Sequence, residues 1–281
     1  MRFPKTRQWP QKALFWLFVL LIAFYFLFPF YCIFNSSLKT DAQWAMAPTT
    51  FVPRDPESGA FAPTFDNYTA VLTNISFLRA LRNSFIISGS AVLLSLLFGS
   101  FAALAIAILR FRGKTAITYL ILSLTMFPQI AVLTGLYAVI NTFALPAMPS
   151  VIVSYLLFTL PLATWVMIAS FREMPLDLLD AARIDGATLF QSFRKILLPL
   201  MRPALITSGL LTFIIAFNEY LFALTFTVLE PHTVPVTVNI TYLPLGQVFA
   251  AAAIIALLLL VLIILTQNYI LRGLTASALR E

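Results

Sequence analysis

Glu219, with Asn218 beside it, is the only acidic residue inside the long apolar segments of this 281-residue chain. An ionisable group in hydrocarbon costs at least about 2.5 kcal/mol, so it should face the protein interior or a water-filled cavity. There its carboxylate can accept hydrogen bonds from a solute's hydroxyls or act in a gate. Equally, it can bond a neighbouring helix or a partner subunit, and the sequence leaves both roles open. Gly113-Lys114-Thr115 matches the end of a phosphate-binding loop. That motif needs a glycine where Ile108 stands, and a preceding strand where an apolar helix is expected. Arg110, Arg112 and Lys114 instead suit the anchoring of a tight turn. No metal site is expected, because the single histidine, His232, has no second His or Cys to share an ion. The single cysteine, Cys32, cannot form an internal disulfide. An intramembrane enzyme would need several convergent titratable groups, and Glu219 stands alone.

These residues must be positioned by helices in lipid. The chain is 60% hydrophobic and 10% charged, with a mean hydropathy of +0.93, more apolar surface than a soluble domain of this length can hide. A span needs about 20 apolar residues, and six segments qualify, near 13–34, 84–109, 116–140, 150–171, 204–228 and 248–271. None alternates as a barrel strand would. The expected fold is an all-α integral membrane protein with six transmembrane helices. The first apolar run is too long for a signal-peptide core and lacks a cleavage pattern, so it reads as a retained span.

Of the 18 Lys and Arg residues, 14 fall on the side that holds both termini and the segment 172–203; Lys39, Arg54, Arg79 and Arg82 fall on the other. The positive-inside rule then places the termini and 172–203 in the cytoplasm and the loop 35–83 outside, as an ordered cap rather than a domain. The segments near 141–149 and 229–247 are short external connections. The net charge of +7 serves this orientation, and no nucleic acid is implied. Pro128 and Pro161 should kink spans three and four, either for alternating access or for static packing. Gln129 and Tyr137 are further candidates for a solute pathway. Phe222 is another, sharing a helical face with Glu219, Ile215 and Phe226.

The insert "MPLDLLDAARIDGATLFQSFRKILLPLMRP" lies between spans four and five. Pro175 suits a first helical turn, and Asp177 and Asp180 complement a helix N-terminus. Leu176, Leu179 and Ala182 make a narrow apolar face, and Gly186 permits a turn. Phe190, Phe193, Leu197 and Leu200 then recur at helical spacing, and Pro199 and Pro203 punctuate the return to the membrane. Two short amphipathic helices joined at Gly186 are expected. They could lie on the headgroups or dock in a groove of a soluble partner.

The spacing of Asp180-Ala181-Ala182, Gly186, Ile196 and Leu198-Pro199 resembles the EAA loop. That loop marks the membrane subunits of binding-protein-dependent ABC importers. The longer form, "DAARIDGAT" with "FRKILLPL", is similar to the carbohydrate branch, the G-type family of maltose-transporter permeases. "FDNYTAVL", "RNSFIIS", "MFPQ", "FNEYLFAL" and "RGLTASALRE" follow in the family's order. Asp180 stands where the family usually has Glu, Phe217 where it often has Trp, and Arg280-Glu281 where a basic-glycine ending is common. The resemblance implies that Asp180, Ala181, Ala182, Asp185, Gly186, Ala187, Leu198 and Pro199 form a coupling helix that docks in an ATPase cleft. It implies a second related permease subunit, two ATPase subunits carrying ATP and Mg, and an external solute-binding protein. This chain itself would bind no cofactor. It implies import of a sugar or oligosaccharide, or else of a polyol, glycerol phosphodiester or sugar conjugate, across a bacterial or archaeal cytoplasmic membrane.

Overall fold

A computed structural model describes residues 9–46, 50–174, 177–227, 232–241 and 243–275. All its regular elements are helical: α1 (Trp9–Ser37), α2 (Asp41–Trp44), α3 (Asp66–Thr73), α4 (Ile75–Ile108), α5 (Lys114–Thr125), α6 (Gln129–Thr142), α7 (Ala147–Arg172), α8 (Asp177–Ile184), α9 (Leu189–Ser192), a π-helical turn (Phe193–Leu197), α10 (Leu198–Leu200), α11 (Arg202–Phe217), α12 (Leu221–Phe226), α13 (Val234–Ile240) and α14 (Leu245–Thr275). Among the described residues, four helices are long and apolar enough to cross a bilayer: most of α1, α4, α7 and most of α14. The count rises to six if each of two bent pairs is one span. Both termini, at residues 1–8 and 276–281, and the expected helix start at Pro175-Leu176 lie outside the described residues.

Three expected boundaries are corrected. Span two was expected from residue 84, but α4 starts at Ile75, so the loop expected over 35–83 ends at Asn74. Residues 75–83 contain neither Gly nor Pro to stop a helix. At 34 residues α4 is about 51 Å long, well beyond the hydrocarbon core. Span three, expected as one helix over 116–140, is α5 and α6 bent by 97°. Pro128 has no N–H to continue the ladder and adopts an extended ψ of 118°, so the expected kink is a full break. Pro161, by contrast, is accommodated inside α7. Span five, expected over 204–228, stops at Phe217 and restarts at Leu221. Asn218 caps its end, its side-chain amide donating to the Ile214 carbonyl at 2.8 Å beside its own backbone N–H at 3.2 Å.

The chain divides into two compact units. One comprises the residues up to Asn74 together with 241–257. In it no residue of the apolar window of α1 is buried. After α1 the chain enters α2 through a reciprocal capping box between Thr40 and Gln43. Asp55 organises a turn, accepting from the Ser58 amide at 2.7 Å and hydroxyl at 2.8 Å. These bonds, the Ser58 amide first, hold its carboxyl below the usual range. Asn67, on α3, donates to the carbonyls of Ser37 at 2.9 Å and Lys39 at 2.8 Å. A Cβ at Gly246 would sit 2.5 Å from that amide nitrogen, so only glycine admits this close approach at the start of α14. The Lys39 ammonium donates to the Thr50 carbonyl and lies 5.1 Å from the Trp44 ring centre. Trp44 in turn stacks on Phe249 of α14 at 5.2 Å. Burial pushes the Lys39 pKa down.

The other unit comprises residues 75–240 together with those from 258 onward. Its axis is the close pair α4 and α7. A Cβ on Gly99 would stand 3.0 Å from both Met167 Cε and Thr164 Oγ1. Ser95 and Thr159 hydroxyls bond across the pair at 2.7 Å. Small residues with short polar groups let helices approach closely where lipid supplies no hydrophobic drive. α11 packs against both, with Gly209 against Leu96. The connection expected over 229–247 contains α13, whose Val234 and Val236 are buried. It is tied to α4: the Asn83 amide donates to the His232 carbonyl at 3.1 Å, and the Val234 amide donates to Ser84 Oγ at 2.8 Å. At the α4–α5 turn Gly113 has φ +86°. Lys114 Nζ donates to the carbonyl of Ala107 at 3.0 Å, and so serves as the turn anchor that the sequence suggests.

Candidate functional site

The insert is two helical pieces joined at Gly186, which has φ +78° and open space around its Cα. Most other side chains would be strained there by their own backbone, Asn least among them. Thr188 and Gln191 then form a capping box that starts the second piece: the Thr188 amide donates to Gln191 Oε1 at 2.8 Å and the Gln191 amide to Thr188 Oγ1 at 3.2 Å. The stripe expected from Phe190, Phe193, Leu197 and Leu200 is corrected. Phe193 and Leu197 are buried, whereas Phe190 and Leu200 are 63% and 52% exposed. The extra residue of the π turn rotates Phe190 away from the face that follows it, and the chain bends by 73° beyond Leu200. Phe193 stacks on Phe101 of α4 at 4.8 Å, and Phe193, Leu197 and Met201 join a buried cluster with Met167 and Phe171 of α7.

The insert therefore has a packed root and a bare tip. At the tip Asp180, Ala181, Asp185 and Gly186 are exposed, Ala187 is half-buried, and Ile184 is 87% exposed. Ala182 is buried. Toward the root Leu198 is half-buried and Pro199 exposed, within the first turn of α10. The tip thus exposes Ile184 and Phe190, while the stem is packed against α4 and α7.

The pathway candidates do not all come together. Gln129, at the first turn of α6, and Phe222 line one cleft of about 220 Å3 with Leu124, Phe127, Val132, Leu157 and Phe158. The cleft thus spans the break at Pro128, between the end of α5 and the start of α6, and is closed by Leu157 and Phe158 of α7 and Phe222 of α12. Phe222 stacks on Phe158 at 6.2 Å with their planes 16° apart. Tyr137 does not line this cleft; it is 46% exposed and stacks on Phe226. Asn218 is exposed. The expected common face of Ile215, Glu219, Phe222 and Phe226 does not form. The break interrupts the helical register, leaving Ile215 42% exposed and Phe222 buried. Glu219 is 6% exposed, and both carboxylate oxygens accept from the backbone, Phe222 N to Oε1 at 2.9 Å and Ala223 N to Oε2 at 3.2 Å. Sequence reasoning missed Phe127 as a cleft wall, and its only signal for it was its nearness to Pro128.

A family model described as the binding-protein-dependent transport system inner membrane component matches residues 73–275. The chain belongs to that family. It is a multi-pass inner membrane protein, the permease component of an ABC transporter, with ATP hydrolysed on a separate subunit and no cofactor on this one. It is 36% identical to the trehalose transport system permease of Mycobacterium tuberculosis over 282 residues, covering 96% of this chain and 98% of the relative. It is 35% identical to the trehalose/maltose transport system permease of Thermococcus litoralis, covering 93% and 94%. A sulfoquinovosyl glycerol transport permease of Agrobacterium fabrum is 30% identical, covering 90% and 89%. In three dimensions the chain matches a subunit of a bacterial ABC transporter that imports the acidic polysaccharide alginate. The TM-score is 0.75 at 21% identity, over 96% of this chain and 100% of the other, a likeness of fold.

Proposed function

We propose that this chain forms half of the translocation pathway of an ATP-driven importer for a sugar or oligosaccharide. A second related permease subunit, two ATPase subunits and an external solute-binding protein complete the complex. The observation that carries this reading is the near-full-length similarity to two permeases named for trehalose or maltose transport. The cleft at the Pro128 break is a segment of the pathway. Its Phe127, Phe158 and Phe222 offer apolar faces to a sugar ring and Gln129 a polar group, the mixture that small-molecule sites use. The tip around Gly186 docks on the ATPase. Closure of the ATPases moves the stem, and Phe193, Leu197 and Met201 pass that motion to α4 and α7. Two global states, each favoured by a different ligand, are what coupling requires.

A sugar conjugate is the second reading, favoured by the sulfoquinovosyl glycerol relative. In proteoliposomes holding the whole complex and its binding protein, labelled trehalose or maltose should accumulate only with ATP. Excess sulfoquinovosyl glycerol should leave that uptake unchanged. No disaccharide uptake, with uptake of the conjugate, would replace the first reading by the second.

Both termini and the insert face the cytoplasm, on the strength of the Lys and Arg asymmetry. In a Cys32→Ser background, an impermeant thiol reagent applied to intact cells should label a cysteine placed at exposed Ser58. It should spare one placed at exposed Thr188. Labelling at Thr188 from outside would reverse the orientation.

A further inference from the structure

Among the described residues Glu219 is the one buried carboxylate at a break in a span, and the pathway reading leaves it without a task, because both its oxygens accept from backbone amides. The break at Asn218–Tyr220 frees the first N–H groups of α12 in a buried turn, where a donor with no acceptor is costly. Glu219 meets two of them at once. Oε1 accepts from Phe222 N at 2.9 Å and Oε2 from Ala223 N at 3.2 Å. One carboxylate gripping two successive amides fixes where α12 begins and how it is turned about its axis. One of the gripped residues is Phe222 itself, whose ring is 1% exposed, stacks on Phe158 and forms cleft wall. The Tyr155 hydroxyl donates to the Glu219 carbonyl oxygen at 3.4 Å and ties the same turn to α7.

We infer that Glu219 is a positioning residue: it caps the re-started helix α12 and thereby sets Phe222 at the substrate cleft, without touching the sugar itself. This rests on the proposal that the cleft belongs to the pathway. Gln at 219 keeps one acceptor oxygen but turns an NH2 group toward the second amide, so one grip is lost and α12 can rotate. Asp keeps both oxygens on an arm shorter by one methylene, so α12 is drawn toward it instead of freed.

A double-mutant cycle on the reconstituted complex tests this, with apparent KM and maximal rate of sugar uptake measured for wild type, Glu219→Gln, Phe222→Leu and the pair. Glu219→Gln should raise apparent KM by about fivefold, the scale of interaction between groups in contact, with most of the rise absent in the Phe222→Leu background. A cap that serves only the fold would lower the melting temperature and yield equally in both backgrounds and leave KM alone; that result overturns the inference. Independent, additive effects on KM also overturn it, while an impaired Phe222→Leu keeps the pathway reading. If Phe222→Leu transports with wild-type KM, the pathway reading falls and this inference with it. Glu219→Asp is carried through the same cycle, so a failure of Glu219→Gln to assemble leaves the test intact.

Discussion

Gly186→Trp is expected to leave the protein inserted in the membrane and to reduce ATP-driven uptake by about tenfold or more, the size of typical coupling free energies. Two physical effects combine. The first is backbone strain: at φ +78° an L side chain costs roughly 1–2 kcal/mol. The second is bulk. Among the described residues nothing lies within 4 Å of a Cβ at this position, so the added bulk falls at the exposed tip, where a docking partner would meet it. The two effects separate experimentally. Gly186→Asn tolerates positive φ and should retain most uptake, and Gly186→Ala should show the strain alone. If Gly186→Trp complexes keep their ATPase subunits and transport as Gly186→Ala does, the tip is not the docking element. Asp180→Glu, which restores the acidic residue usual in the family and lengthens an exposed side chain, should change little.

Gly99→Leu should prevent accumulation of a stable complex, and Gly99→Ala should cost about 1–3 kcal/mol, the usual penalty of overpacking. The added methyl of Ala would meet Met167 Cε and Thr164 Oγ1 at 3.0 Å and the Thr164 backbone nitrogen at 3.3 Å. The methionine end can yield. Thr164 cannot turn away freely, because its hydroxyl already donates to the Leu160 carbonyl at 2.7 Å. The backbone nitrogen can move only with α7. Gly89 on the same helix is the control: a Cβ there meets nothing within 4 Å, so Gly89→Ala should gain about 0.5–1 kcal/mol from reduced backbone entropy. Melting of the detergent-solubilised complex should therefore move down for Gly99→Ala and level or up for Gly89→Ala. Equal melting of the two variants would mean that α4 and α7 do not pack this closely.

The sequence by itself determined the solvent, the helical class and the places of the apolar segments. It also located the turn at Gly186 and the anchor at Lys114. Each is a local property: runs of apolar residues, one glycine between two amphipathic stretches, one lysine past a helix end. The resemblance carried by the Asp180–Pro199 spacing led to the family for the same reason, since motif spacing is visible without a fold. Tertiary structure alone decided the rest. A polar pair such as Asn218 and Glu219 inside an apolar run is compatible with a continuous helix or with a broken one. The outcome depends on whether the freed amides find acceptors, and here Glu219's own oxygens supply them. The stripe through Phe190, Phe193, Leu197 and Leu200 satisfied ideal α-periodicity, but one π turn, with Phe193 stacked on Phe101 from a distant helix, changed the register. The cleft likewise needed the 97° bend beside Pro128 and Phe222 of the re-started α12 to meet Phe158 of α7. Periodicity describes a helix relative to itself, whereas breaks and clefts arise where hydrogen-bond donors, acceptors and volumes from several helices must be satisfied together.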